Sequence, residues 1–282
     1  CDSVGAVQSE AFQVLRQIPG SGSVILAGEA AGEGPPLVLL HGLSATRRNV
    51  VQGSRHLLRR GYRLIAYDAR GHGLSEPAPR YEYGDLVGDL EGVFARLDLE
   101  RAALVGSSMG ATTAMAFALE HPNRVPALVQ ITPAYMGGAR AEEEDWDRLA
   151  AELERGDLDA FVRLAQPDGV PERWREAARE ATRQRMERHR YPEAVAQALR
   201  QVPRSIAWEG LEPLDGLELP VLVVGSRDEA DSMHPLAVAQ EYARRLPQAE
   251  LVVEDEGQSP LAWQGARLSG VIGDFLERSG YS

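Results

Sequence analysis

A chain of 282 residues, 44% apolar and 26% charged, is long enough for one α/β domain with a sizeable core. Its net charge of −12, from 42 acidic against 30 basic side chains, makes nucleic acid and anionic membrane surfaces poor partners. No apolar run approaches the roughly 18 residues needed to span a bilayer, and no signal-peptide pattern stands out, so the expected location is cytoplasmic. All the basic residues are arginine, which reflects coding composition rather than function. The single cysteine, Cys1, excludes an internal disulfide and a cysteine-based metal site. A first-position cysteine also fits a lipoprotein anchor, but a trimmed chain is the preferred reading because the first patterned segment, "EAFQVLRQIPG", follows so closely.

In chain order, short runs rich in Val and Leu and bounded by turn residues predict buried parallel strands: "PLVLLHG" (36–42), "YRLIAYDARG" (62–71), "AALVGSS" (102–108) and "LPVLVVGSRD" (219–228). Amphipathic stretches between them predict helices over 50–61, 83–99 and 109–124. Further strands are expected within 125–135 and 249–255, and further helices over 234–247 and 265–278. Such alternation predicts a mostly parallel sheet covered by helices on both faces. Residues 137–205 contain no strand candidate and read as several charged helices. The expected division is therefore a core built from 1–136 and 206–282, with an inserted helical lid at 137–205. Within it, "RQRMERHR" reads as a solvated helix face rather than a basic patch, because acids flank it.

The stretch "LVGSSMGA" carries chemistry. It holds G-x-S-x-G as Gly106-Ser107-Ser108-Met109-Gly110, at a strand end and a helix start. A sharp strand-to-helix turn with small flanking residues exposes the Ser108 hydroxyl and leaves the Met109 amide, at a helix N-terminus, free to donate to an oxyanion. A second donor is expected from the loop after an earlier strand, at the amide of Leu43. His41 reads as a structural histidine fixing that loop, and Arg47 and Arg48 as surface residues, with a carboxylate clamp at the pocket mouth as their alternative role.

Together "HG" (41–42), "DARGHGLS" (68–75), "GSSMG" (106–110) and "GSRD" (225–228) resemble the ordered motifs of the α/β-hydrolase fold superfamily, over nearly the whole chain. The resemblance implies a serine hydrolase acting on esters, lactones, thioesters or amides, without a cofactor. It also implies a lid at the insertion, a loop-holding role for Asp68, Arg70 and His72, and a triad acid at Asp228, with Glu229 and Asp231 as rivals.

At the family's general-base position, however, the chain reads Gly257-Gln258-Ser259-Pro260 where G-H-x-P is expected. Glutamine cannot shuttle protons. Three readings stand open. His234, six residues after Asp228 and just before Pro235, supplies a relocated base. Alternatively, Gln258 is an introduced His-to-Gln exchange that traps substrate. Or the chain is a small-molecule-binding protein that kept the pocket and lost the chemistry, with Gln258 as a ligand donor. Trp263 and Trp146 are candidate apolar pocket walls, with packing as their plainer role. His56 and His121 read as surface helix residues, and His189 as part of the charged insertion. No His/Asp/Glu spacing matches a zinc site, and no Rossmann or Walker glycine loop is present. The expected partner is a small-molecule substrate.

Overall fold

Alternation along the strands decides which face each residue covers. The structure, a computed structural model, describes residues 9–139, 143–166, 170–227, 233–258, 263 and 265–282. Its strands are β1 (Glu10–Ile18), β2 (Gly22–Ala31), β3 (Pro36–Leu40), β4 (Arg63–Tyr67), β5 (Ala103–Ser107), β6 (Leu128–Ile131), β7 (Val221–Gly225) and β8 (Ala249–Val253). They form one sheet in the order β1-β2-β4-β3-β5-β6-β7-β8. The pairs from β4 to β8 are parallel, whereas β1 and β2 join antiparallel. The expected mostly parallel sheet is therefore present, with a two-stranded hairpin added at one edge. That hairpin lies in "EAFQVLRQI" and "GSVILAGEAA", where Phe12, Val14 and Ile18 alternate inward. Gly20 and Gly22, both at positive φ, shape its turn.

The helices are α1 (His56–Arg59), α2 (Tyr83–Arg96), α3 (Met109–Glu120), α4 (Glu143–Glu154), α5 (Leu158–Leu164), α6 (Glu172–Met186), α7 (Pro192–Gln201), α8 (Leu236–Arg245) and α9 (Gly265–Arg278). On one face of the sheet Val38, Leu40, Leu104 and Val223 pack against α2, α3 and α8. On the other, Leu37, Leu39, Val105 and Val224 pack against α1 and α9. Leu268, Ile272, Phe275 and Leu276 of α9 repeat at helical spacing and are buried. Each such side chain removed from water contributes about 1.5–3 kcal/mol. The helix expected over 50–61 shortens to α1, because Gln52 and Gly53 both adopt left-handed backbone that interrupts an α-helix. Between β6 and β7 the described chain forms α4–α7 and no strand. Among the described residues, no helix is long and apolar enough to cross a membrane.

One buried ion pair ties the sheet to its helical cover. Arg70, in the loop after β4, makes a two-pronged contact with Asp89 of α2: its Nε donates to Oδ2 and its Nη2 to Oδ1, each at 2.7 Å. Both side chains are buried. Burial holds the Asp89 carboxyl above its ordinary range even though Arg70 pulls it down. Desolvation here is thus only partly offset by attraction, and losing one partner is far worse than losing both. Asp89→Ala should lower the unfolding free energy by about 3–5 kcal/mol, whereas Arg70→Met with Asp89→Leu should recover most of it. Urea denaturation of the two variants checks this; equal losses would show that the pair contributes through packing alone.

Candidate active site

The carboxyl ends of the adjacent parallel strands β3, β5, β6 and β7 form one edge, which is where open parallel sheets place ligands. Ser108 leaves β5 there at φ 51° and ψ −112°, a strained conformation for a side-chain-bearing residue. The turn is possible because its flanks are bare. A Cβ on Gly106 would lie 2.3 Å from the Gly110 carbonyl oxygen, and one on Gly110 would lie 2.2 Å from the carbonyl oxygen of Leu40. Glycine at both positions lets α3 start directly beside β3. The Ser108 amide donates to the Ile131 carbonyl at 3.0 Å, and its own carbonyl starts the helix by accepting from Thr112. The hydroxyl is left above the sheet edge.

His234 meets it there. The residue precedes Pro235, the N-cap of α8, and its Nε2 lies 2.7 Å from Ser108 Oγ. With the ring as the Nδ1–H tautomer, the serine hydroxyl donates to Nε2, the geometry of a nucleophile and its base. Of the residues singled out in sequence, the structure therefore brings Ser108, His234, Leu43 and Met109 together: Leu43, Met109 and Ser108 line a common cavity. Asp228 lies outside the described residues. A carboxylate that sequence reasoning passed over reaches this region from a distant part of the chain: buried Glu254, just after β8, accepts from Ser226 Oγ at 2.8 Å and from the Arg227 amide at 2.7 Å. It grips the exit of β7 immediately before position 228. As one acid among several in "VVEDEG", it carried no distinguishing signal.

The backbone beside Ser108 is held just as firmly. His41 Nδ1–H donates to the Gly42 carbonyl at 2.8 Å, Ala45 N–H donates to the same carbonyl at 3.0 Å, and His41 Nε2 accepts from Ala69 N–H at 2.9 Å. In a trans peptide a fixed carbonyl fixes the opposing N–H, so these bonds orient the amide of Leu43. A family profile for the alpha/beta hydrolase fold matches residues 35–265, which contain all of these elements. The chain belongs to the α/β-hydrolase fold family. It is similar to the sn-1-specific diacylglycerol lipase ABHD11 of Danio rerio, 36% identical over 104 residues that are 36% of this chain and 33% of that protein. The match spans about a third of that relative's length. Among solved structures, a thermophilic esterase from Thermogutta terrifontis superposes with a TM-score of 0.78 at 25% identity, covering 96% of this chain and 99% of that one. An enol-lactonase from Burkholderia xenovorans LB400 superposes with a TM-score of 0.74 at 24% identity, covering 93% and 99%.

In this α/β-hydrolase fold the "DARGHGLS" residues are bound into loops. The Asp68 carboxylate accepts from the amides of Arg47 and Leu74 at 2.8 and 3.0 Å and pairs with the Arg47 guanidinium. Arg47, read as a surface residue in sequence, is largely buried by that pairing and also faces Glu29. Its charge is therefore turned inward, whereas Arg48 is exposed. His121 pairs with Glu91, and His56 accepts from Arg60.

Gln258 and Trp263 are not brought to Ser108. The Gln258 side chain is exposed, donates to Asp255 at 3.1 Å and accepts from Arg267. Trp263 donates from Nε1 to the Gly225 carbonyl at 2.9 Å and packs on the α9 face of the sheet. Trp146 of α4 does line the cavity beside Ser108, with Val202 and Pro203. Sequence periodicity did not single out Tyr83 and Tyr135, which also line it. Tyr135 is locked in place: its hydroxyl accepts from the Ala207 amide at 2.9 Å and donates to the Trp208 carbonyl at 2.6 Å.

Three buried histidines lie in series, tilted or edge to face, with ring centroids 5.2 Å apart for His41–His72 and 5.6 Å for His72–His189. Burial pushes His72 down to about 3 and His189 to about 4, and lowers His41, against a smaller opposing pull from Asp68. All three are neutral when folded and take up a proton on unfolding below the ordinary value of 6.5. The unfolded state then binds more protons, so stability falls as pH falls, starting near 6.5 and continuing toward the depressed values. Between pH 6.5 and 5, above the ordinary carboxylate range, the melting temperature should decline and the decline should be shallower in His72→Gln. A flat profile across that window would contradict the neutral cluster.

Proposed function

We propose that the chain is a cofactor-independent serine hydrolase that cleaves a small carboxylic ester or lactone through an acyl-enzyme on Ser108. The single observation that carries the reading is the 2.7 Å contact between Ser108 Oγ and His234 Nε2. His234 takes the serine proton as Oγ attacks the acyl carbon, and Asp228 orients the ring and stabilises the imidazolium. The carbonyl oxygen becomes an oxyanion held by the amides of Leu43 and Met109. Collapse of the tetrahedral intermediate expels the alcohol, which receives the proton from His234. Water then repeats the sequence on the acyl-enzyme, releasing the acid and restoring Ser108. The likeness to a solved esterase supports this reading.

The cavity supports a small, uncharged acyl group. Its volume is about 30 Å³, and its described walls include Leu43, Met109, Ala134 and Trp146 and no charged side chain. That volume holds roughly two water molecules. Trp146, Val202 and Pro203 reach it from the helical segment between β6 and β7. This segment is the lid, and it shifts to admit substrate. The ligand-binding alternative gives Gln258 the role of a ligand donor, and its side chain instead bonds Asp255 and Arg267.

Turnover of p-nitrophenyl esters tests the reading. Ser108→Ala and His234→Ala should each lower kcat by about 10³–10⁶, acetate should be cleaved faster than octanoate, and Gln258→His should change little. Full turnover in His234→Ala, or activity gained only in Gln258→His, would remove His234 from the mechanism.

A further inference from the structure

His189 lies in the turn between α6 and α7, yet it is buried against two loops of the core. Its Nδ1 accepts from the amide of Gly73 at 2.9 Å, and its Nε2 lies 3.2 Å from the carbonyl oxygen of Ser44. The next amide, Arg190, donates to the Gly73 carbonyl at 2.8 Å. These partners settle the ring's state. An amide can only donate and a carbonyl can only accept, so Nδ1 is bare and Nε2 carries the proton. One neutral tautomer satisfies both contacts.

Ser44 belongs to the four-residue turn Gly42–Ala45, whose Leu43 lines the cavity with Ser108. The turn closes through Ala45 N–H to the Gly42 carbonyl, and Ser44 itself sits at φ 59°, outside the conformations a serine prefers. His41 holds the entry of this turn, and His189 reaches its far end from the helical segment. Leu43 also packs against the side chains of that segment. Oxyanion donors work because they are fixed before charge develops, and the Ser44 carbonyl shares its peptide with the Ala45 N–H that closes this strained turn.

We propose that His189 is a positioning residue for the oxyanion site: from the helical segment it donates to the Ser44 carbonyl and so holds the amide of Leu43 in line with Ser108. The inference rests on the hydrolase reading of Ser108. It makes the four-helix segment part of the preorganised site as well as its cover.

Two substitutions separate the contacts. His189→Gln can still donate to the Ser44 carbonyl from a position like Nε2. His189→Asn can still accept from Gly73 at a position like Nδ1 but is too short to reach Ser44. With p-nitrophenyl acetate, His189→Ala and His189→Asn should each lose about ten- to a hundredfold in kcat, short of losing an oxyanion donor outright, with KM little changed, and His189→Gln should recover most of it. Amide hydrogen exchange of the segment 40–48 should quicken in His189→Ala and His189→Asn and not in His189→Gln. Equal kcat in the Asn and Gln variants, a loss confined to KM, or unchanged exchange in folded His189→Ala would overturn the proposal. If the unsubstituted chain turns over no ester while the exchange pattern holds, the hydrolase reading fails and the tether to Ser44 stands without a catalytic role.

Discussion

The close approach of α3 to the end of β3 is the contact on which the rest of the site depends. Gly110 lies against the Leu40 carbonyl with no room for a side chain, and Gly106 lies equally close to Gly110. Only that spacing lets Ser108 turn at φ 51° and point its hydroxyl at His234. The same contact brings the start of α3 and the loop after β3 together, so Ser108, Met109 and Leu43 line one cavity. Strain of about 1–3 kcal/mol at such a residue is sustained by buried β5, whose Leu104 and Val105 pack on opposite faces of the sheet.

Around this centre the protein fixes loops with buried polar groups rather than apolar contacts. Asp68 gathers the Arg47 and Leu74 amides, Arg70 is clamped by Asp89, and His41 and His189 hold opposite ends of the Gly42–Ala45 turn. Each is satisfied by directional bonds to named backbone or side-chain partners. The consequence is rigidity near neutral pH and vulnerability to acid, since the histidines of this network are neutral only while they remain buried.

Much of this architecture was legible in sequence because it rests on local rules. The Val- and Leu-rich runs became β3–β7, the G-x-S-x-G spacing became the elbow at Ser108, and His234 was singled out because its chain position bordered the expected acid loop. The β1–β2 hairpin was missed although Phe12, Val14 and Ile18 alternate and its pairing is local, because small and polar residues in "GSVILAGEAA" blur the alternation on the partner strand. The inward turn of Arg47 and the role of Glu254 depend on partners distant in sequence, Asp68 and the exit of β7. His189 had looked like part of a solvated Arg-rich helix face. Its burial follows from the fold of the segment around it, where Met186, Val195 and Leu199 form a small apolar cluster that draws the turn toward the core.

The central claim is that Ser108 is a nucleophile activated by His234 from an unusual place in the chain. The most direct measurement is the rate of fluorophosphonate labelling, with the modified peptide located by mass spectrometry, in the unsubstituted protein and in His234→Ala. The account predicts one adduct, on Ser108, forming at least about a hundredfold more slowly without the histidine. Labelling of Ser108 at the same rate in both proteins would place the base elsewhere, and an adduct on any other residue would contradict the assignment of the nucleophile.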